Sequence, residues 1–204
     1  MVVKLAELAD VTLGTILTRV NAEQHDDAES VETISMQEVS YFTGKSKVIP
    51  EKLYSKIKSS KIESCEFTKE NDVLLGLTSG NAMVIDCSRE NKLVLSNFLK
   101  IRIHDTNVLN PKYLCWLIND NKYIKNYFES AKQGVSAVSV IKANDVKEMP
   151  IELLPIEKQI DIGKLYYLYL EKYKIEGRMT ELSFSLNKFL ANNYYEGAIK
   201  NEDK

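Results

Sequence analysis

The residues of this chain that could carry out chemistry are few, and none has the partners that catalysis requires. The tripeptide GKS at positions 44–46 could end a phosphate-binding P-loop, but the loop needs a glycine five positions earlier, where Val39 stands. His25 and His104 are the only histidines and lie far apart, which leaves no histidine-based nucleophile or metal site. The acidic pair Asp26–Asp27 lies in a polar segment and is expected to be solvated. The sequence therefore predicts no catalytic residue, metal or cofactor.

The tetrapeptide NPKY at 110–113 also has a chemical interpretation. It is similar to the NPPY-type tetrad with which amino-methyltransferases hold a flipped base. However, Lys112 replaces the second proline, and no glycine-rich motif for S-adenosylmethionine precedes it. Asn is favoured as a helix N-cap and Pro at the first helical position. We therefore predict that Asn110 caps a helix beginning at Pro111.

The most basic window of the chain runs from Tyr41 to Ile62. It contains a single acid, Glu51, and two tyrosines, Tyr41 and Tyr54. Its lysines are Lys45, Lys47, Lys52, Lys56, Lys58 and Lys61. Lysines neutralise phosphates, while Tyr, Ser and Thr reach phosphates or base edges, so the window could bind nucleic acid. A solvated basic segment balanced by acids elsewhere explains the composition as well, and both interpretations stay open.

Composition narrows the class of protein. The 204 residues are 44% hydrophobic and carry a net charge of −2, so any basic surface must be local. Three isolated cysteines, at 65, 87 and 115, are typical of reduced thiols in the cytosol. The N-terminus lacks the pattern of a signal peptide, and no stretch approaches the roughly 18 apolar residues of a membrane span. We expect a soluble cytoplasmic protein.

The hydrophobic pattern predicts strands followed by helices. We predict a loop at 21–30, a strand at Val31–Met36, and a hairpin of strands Asp72–Leu77 and Ala82–Asp86 joined by the turn residues TSGN. A further strand is expected within LVLSNFLKIRIHD, at 93–105, before the helix capped by Asn110. The segment PIELLPIEKQI, at 150–160, places two of the four prolines around a last strand. Because proline restricts its own backbone and that of its predecessor, this segment is expected to fix the angle of the next helix.

A long helix is predicted from Ile160 to Tyr194, on the order of 50 Å at 1.5 Å per residue. Its heptad positions, spaced alternately by three and four, are Leu165, Leu168, Lys172, Ile175, Met179, Leu182, Leu186 and Phe189. We call these eight residues the seam, and seven of them are apolar. An exposed seam favours a partner helix. The alternative is a helix broken at Gly177 and packed along its own domain.

The order of motifs resembles a known family. The hairpin NDVLLGLTSGNAMVID, the strand and helix LVLSNFLKIRI…LNPKYLCWLI, and the closing segment QGVSAVSVIKANDVKEMPIELLPIEKQIDI are similar to successive elements of one unit. That unit belongs to the specificity (S) subunits of type I restriction–modification enzymes. The opening VKLAELADVTLGTI is also similar to theirs. The resemblance covers nearly the whole chain except the Tyr41–Ile62 window.

The resemblance implies an α+β fold: a mixed-sheet target recognition domain at 1–155, followed by a long coiled-coil-forming C-terminal helix at 156–204. Complete S subunits hold two such units with paired helices, and each domain reads half of a bipartite DNA target. This chain resembles only one such unit, which implies a half-size subunit that homodimerises through its helix. Methylation and cleavage would belong to partner modification and restriction subunits. The alternatives are an interaction module that binds methyltransferase subunits without reading DNA, and a stand-alone catalytic domain, which lacks sequence support.

The expected DNA-binding residues follow from this interpretation. Phosphate contacts are expected from Lys45, Lys47, Lys52, Lys56 and Lys58, and base contacts from Tyr41, Ser46 and Tyr54. Secondary candidates are Ser79, Asn81 and the segment from Lys132 to Ser136. The apolar seam residues are expected to form the dimer or partner contact.

Overall fold

The computed structural model describes residues 2–22, 27–131 and 140–202. Within these ranges the strands are β1 (Val2–Lys4), β2 (Ala9–Leu13), β3 (Ala28–Thr33), β4 (Leu53–Lys58), β5 (Val73–Gly76), β6 (Ala82–Val84), β7 (Phe98–Ile103) and β8 (Pro150–Glu152). The helices are α1 (Leu17–Val20), α2 (Met36–Phe42), α3 (Pro111–Asn119), α4 (Lys122–Ala131), α5 (Ala143–Lys147) and α6 (Ile156–Glu202). The predicted combination of strands with one long final helix is confirmed.

The strands form one four-stranded sheet and two small ones. The central sheet has the order β2-β7-β5-β6, and the strands β3 and β4 make a separate two-stranded ribbon. β1 pairs with β8, so the first and last strands lie side by side. All these strand pairs are antiparallel, while parallel pairing is seen at the bridges Thr15–Leu95 and Thr33–Leu93.

The central sheet is buried on both faces. Side chains alternate along a strand, and in β5 Val73 and Leu75 pack into the core that contains α3, whereas Leu74 packs with Val39 of α2 on the opposite face. The predicted hairpin of β5 and β6 is confirmed, with paired residues from Val73–Val84 to Leu75–Ala82. The turn between the two strands, at 77–81, is called the hairpin tip, and it lies at the edge of the sheet because β6 is an edge strand.

The segment after β3 differs from the prediction. The strand predicted at Val31–Met36 starts at Ala28 and ends at Thr33, and α2 begins at Met36. The reason is a capping box: the Ser35 hydroxyl accepts from the Glu38 amide at 3.0 Å, and the Glu38 carboxylate accepts from the Ser35 amide at 3.3 Å. These two bonds satisfy amide groups at the start of the helix that would otherwise have no partner within it.

The segment from Pro150 to Pro155, which we call the joint, links the last strand β8 to the helix α6. Pro150 begins β8 and pairs with Lys4 of β1, and the Pro155 carbonyl accepts from the Lys158 amide at 2.9 Å in the first turn of α6. Gln159, which is 1% exposed, ties this turn to the loop before α3. Its Nε2 donates to the Leu154 carbonyl at 2.8 Å and to the Val108 carbonyl at 2.9 Å. The joint is therefore held by side-chain hydrogen bonds as well as by the prolines.

The helix α6 is longer than the span from Ile160 to Tyr194 that the hydrophobic pattern predicts. It has 47 residues, roughly 70 Å at 1.5 Å per residue, and it continues through Gly177 without a break. Its first part is packed on the domain through Gly163, Tyr166 and Leu170, which are buried. From position 178 to 196 every residue is exposed, so this part of the helix extends past the domain.

A buried polar network fixes α6 against the β5–β6 hairpin. The Asn119 amide donates to the Ala82 carbonyl at 2.7 Å and to the Tyr166 hydroxyl at 3.0 Å, and its carbonyl oxygen accepts from the Ala82 amide. The Tyr167 hydroxyl accepts from the Val84 amide at 3.1 Å. Burial raises the pKa of both tyrosine hydroxyls, which keeps them protonated. The helix and the hairpin are thus held in one fixed relation.

Two glycines of α6 allow a matched prediction about packing. A Cβ added at Gly163 would lie 2.8 Å from the Lys112 Cβ, in the close contact between α3 and α6. At Gly177 the nearest atom is the Lys47 Cδ at 3.3 Å, on a side chain that can move. We expect Gly163→Ala to lower the free energy of unfolding by about 1–3 kcal/mol. Gly177→Ala should raise it by up to about 1 kcal/mol, because alanine favours the helix. Urea unfolding followed by circular dichroism measures both, and equal effects would contradict the packing described.

Candidate nucleic-acid interface

The basic window splits into two surfaces. Its first part follows α2 as a loop at 43–49, and its last part forms β4, which pairs with β3. In β4, Ile57 is fully buried against Val20 and Leu93, so its neighbours Lys56 and Lys58 lie on the outward face of the ribbon. Tyr54, 59% exposed, lies on the same face. The structure therefore brings three of the predicted DNA-binding residues together on the ribbon.

The acid next to this face is already paired. Glu32, opposite Tyr54 in the ribbon, forms a salt bridge with the Lys92 ammonium at 2.8 Å and lies 3.6 Å from that of Lys52. Its pKa is lowered chiefly by the hydrogen bond from Lys92, against the opposing effect of burial. Lys92 also contacts Glu38 at 2.9 Å. The predicted residue Lys52 thus shares the Glu32 carboxylate with the buried Lys92.

The first half of the loop at 43–49 is anchored to α2 and to α6. The Thr43 hydroxyl donates to the Val39 carbonyl at 2.7 Å, and the amides of Lys45 and Ser46 both donate to the Ser40 carbonyl. Gly44 has a φ of +70°, a conformation that favours glycine, and it lies close to Leu170 of α6. Because this GKS segment follows a helix and not a strand, its interpretation as a P-loop is excluded.

Lys45 lies beside the hairpin tip. One cleft is lined by Lys45, Ser79, Gly80, Asn81 and Lys125, together with residues of α3 and α4. At the tip the Ser79 hydroxyl accepts from the Asn81 amide at 3.2 Å, and Gly80 has a φ of +67°. Three predicted site residues that are far apart in sequence, Lys45, Ser79 and Asn81, therefore share one cleft. The predicted residues Lys132 and Ser136 lie outside the described residues.

A second groove separates the loop from α6. Its loop side is lined by Tyr41, Ser46, Lys47 and Ile49, and its helix side by Tyr173, Lys174, Arg178 and Glu181. The first three of these had been predicted as site residues, but the sequence did not single out Lys174 and Arg178. Both lie more than 110 positions from the end of the window. Local spacing does not mark them as a pair, because Lys174 lies about 100° from Ile175 around the helix whereas Arg178 lies only about 40° from Leu182.

The other chemical candidates are structural. The Asn110 side chain accepts from the amides of Lys112 and Tyr113 at 3.0 and 3.1 Å, which confirms the helix-cap interpretation of NPKY. The His104 ring lies 3.2 Å from Asp10 at the surface. Burial raises the pKa of the Cys115 thiol to about 12, so this cysteine stays protonated. His25 and Asp26 lie outside the described residues.

The seam is exposed along its whole length. The exposed fraction of its apolar side chains, Leu165, Leu168, Ile175, Met179, Leu182, Leu186 and Phe189, is between 57% and 69%. At about 100° per residue, the seam lies on the side of α6 opposite Gly163, Tyr166 and Leu170, the residues that pack on the domain. The helix therefore uses one face for its own domain and leaves an apolar stripe free on the other.

Two further findings on the described residues concern membrane-spanning helices and clusters of metal-ligating side chains. Within 2–22, 27–131 and 140–202, no helix combines the length and the apolar character needed to cross a bilayer. In the same ranges no three metal-ligating side chains lie close enough together to hold an ion.

Comparisons with known proteins identify the fold. No family model matches the sequence, and no curated protein matches it either. The HsdS subunit from Thermoanaerobacter tengcongensis matches 93% of this chain with a TM-score of 0.59 and 17% identity. A chain from a structure described as the structural basis of complex assembly and conformational transition of the type I R-M system matches 96%, with a TM-score of 0.61 and 15% identity.

The matches cover a smaller fraction of the two solved chains than of this chain. The chain spans about half the length of these structures, 47% and 48%. The match includes the globular part and the long helix together, because it covers more than nine-tenths of the residues. The fold implied by the sequence resemblance is confirmed: this chain has the fold of one half of an HsdS subunit.

Proposed function

We propose that this chain is a DNA-specificity subunit of a type I restriction–modification system. The observation that carries the proposal is the match of more than nine-tenths of the chain to an HsdS subunit. Its role is recognition and not catalysis. Partner modification and restriction subunits supply methylation and cleavage, and the specificity subunit directs them to the target.

The exposed apolar seam of α6 supports a homodimer. The chain corresponds to 47% of the matched HsdS chain, and its α6 has an apolar seam without a partner in the described residues. Pairing of two such helices buries both seams and relates two recognition domains by a two-fold axis. The target is then a palindrome split by a gap, and the length of the helix sets the gap, as in other dimers that bind DNA.

The DNA-binding surface consists of the ribbon, the 43–49 loop and the hairpin tip. Lys45, Lys47, Lys52, Lys56 and Lys58 contact phosphates, while Tyr41, Ser46 and Tyr54 reach base edges. Ser79 and Asn81 add contacts from the cleft that they share with Lys45, and Lys132 and Ser136 remain candidates by sequence. The lysines give affinity without sequence information, and the polar groups between them select the sequence.

Binding of labelled duplex DNA, measured by fluorescence anisotropy, tests this function. The protein is titrated alone and together with the modification subunit that co-purifies with it. Binding of DNA in either form is the expected result. A protein that binds the modification subunit but never DNA would instead be an interaction module, which the exposed seam alone would explain. That outcome would overturn the proposed function.

The double variant Lys45→Ala, Lys47→Ala is expected to weaken DNA binding and to flatten its salt dependence. Each phosphate contact contributes roughly one to the slope of log Kd against log salt, so the slope should fall by about two. The matched control, Lys147→Ala with Lys158→Ala, removes two exposed lysines from α5 and the first turn of α6. An unchanged slope for the loop variant, or an equal loss in the control, would count against this surface.

A further inference from the structure

We propose, building on the function proposed above, that α6 itself binds DNA. Lys174 and Arg178, together with Lys47 of the 43–49 loop, form a site for backbone phosphates of the duplex. The site is the groove between the loop and the helix. In this view the helix that spaces the two domains also holds the DNA between the half-sites.

Gly177 brings the three cations together. The Lys47 side chain crosses α6 at this glycine, with its Cδ 3.3 Å from where a Cβ would be. Its ammonium lies over the Tyr173 ring, 5.9 Å from the centroid. Lys174 and Arg178 flank Gly177 on the same groove. The loop and the helix thus contribute charges to one site.

The positive charge of the groove is not neutralised within the described part of the chain. Four charged residues line it, Lys47, Lys174, Arg178 and Glu181, and among the described residues none of the three cations forms a salt bridge. The carboxylate that acts on Lys174 is that of Glu171, on the same helix, and it only opposes the effect of burial. Three cations against the one carboxylate that lines the groove leave it with a net positive charge, which favours binding of an anion.

Lys174 is held against aromatic rings. Its ammonium lies 4.9 Å from the centroid of the Phe42 ring and 5.7 Å from that of Tyr41, and the Arg89 guanidinium lies 3.6 Å from the same Phe42 ring. Burial lowers the pKa of Lys174, and the charge of Arg89 lowers it further. These contacts fix the ammonium in place and partly remove it from water. A phosphate in the groove would restore the lost stabilisation of its charge.

The surroundings favour phosphates of a DNA duplex over a small free anion. The groove is shared with Tyr41 and Ser46, whose hydroxyls can donate to phosphate oxygens. On its other side, Gly44, Lys45 and Tyr173 line a neighbouring cleft together with Asp120, whose carboxylate lies 3.5 Å from the Lys125 ammonium. The cations therefore continue toward Lys45 and the hairpin tip. A row of cations along a surface fits a chain of phosphates, and one ion would use only part of it.

The test uses the full chain and a duplex of about three helical turns. Anisotropy titrations between roughly 50 and 200 mM salt give the slope of log Kd against log salt. The variant is Lys174→Ala with Arg178→Ala. The control, Lys158→Ala with Lys188→Ala, removes two other exposed lysines of α6, on either side of the groove along the helix. If the double variant loses helix content, the single variant Arg178→Ala, at an exposed position, replaces it in the experiment.

The slope for the double variant is expected to fall by about two, and for Arg178→Ala by about one, while the control keeps the wild-type slope. A groove variant whose slope equals that of the control would overturn the inference and leave the proposed function standing. Wild-type protein that binds no DNA would overturn both. Calorimetric titration with inorganic phosphate adds a further arm: binding lost in the variant without a change in slope would indicate a small-anion site and overturn the DNA assignment.

Discussion

Replacing Leu182 with Asp is expected to convert a dimer of this chain into monomers. Leu182 is a seam residue with 61% of its side chain exposed, in the part of α6 beyond the domain. In a helix pair the aspartate would be buried without a partner, in two copies, which costs several kcal/mol per ion. The dissociation constant of the dimer should rise at least about a hundred-fold.

The design of this experiment separates the seam from the rest of the helix. Ala191→Asp adds the same charge nine residues away, at an exposed position on the side of the helix opposite Leu182, and should leave the dimer intact. Sedimentation velocity from low to high micromolar concentration measures both variants and the wild type. Because positions 178–196 are all exposed, neither change touches the domain core. A wild-type chain that stays monomeric at tens of micromolar, or a Leu182→Asp chain that stays dimeric, would contradict pairing through the seam.

Gln159→Leu is expected to remove much of the stability of the domain. The Gln159 side chain donates to the Val108 and Leu154 carbonyls and accepts from the Asn110 amide at 2.9 Å. Leucine has a similar volume and none of these bonds, so three backbone groups around the joint lose their partner. At about 1–3 kcal/mol for each buried group left without one, the free energy of unfolding should fall by roughly 3 kcal/mol or more.

The neighbouring residue supplies the control. Lys158 is exposed, so Lys158→Leu should change the free energy of unfolding by no more than about 0.5 kcal/mol. Urea unfolding followed by circular dichroism compares the two. A loss for Gln159→Leu below about 1 kcal/mol would contradict its role in holding the joint.

The features that could be predicted correctly are those that a short stretch of consecutive residues determines. The cap at Asn110 and the turn of the β5–β6 hairpin need only a few consecutive positions, and both are confirmed. The seam follows from the heptad spacing alone, and its apolar residues are exposed as expected. The start of α2 was missed, although Ser35 followed three residues later by Glu38 is the signature of a capping box. The alternating pattern before it favoured a strand.

The arrangement of the candidate site could not be predicted because contacts between distant segments create it. The 43–49 loop packs on α6 through Gly44 and Lys47, more than 120 residues apart from Leu170 and Gly177 in the sequence. This contact separates Lys45 and Lys47 from the ribbon and adds Lys174 and Arg178 to the basic surface. The heptad spacing indicated only an apolar contact of α6, whereas the contribution of Lys174 and Arg178 depends on where the 43–49 loop packs.

Selection of bound duplexes from a randomised DNA pool, followed by sequencing, tests the central claim most directly. It is done with the purified protein and, in parallel, with the complex that co-purifies from its host. A homodimer of specificity subunits should enrich duplexes that carry one short motif twice, in inverted orientation and at a fixed separation, and Leu182→Asp should abolish the fixed separation. Bound duplexes from both preparations that share no motif would contradict sequence-specific recognition by this chain.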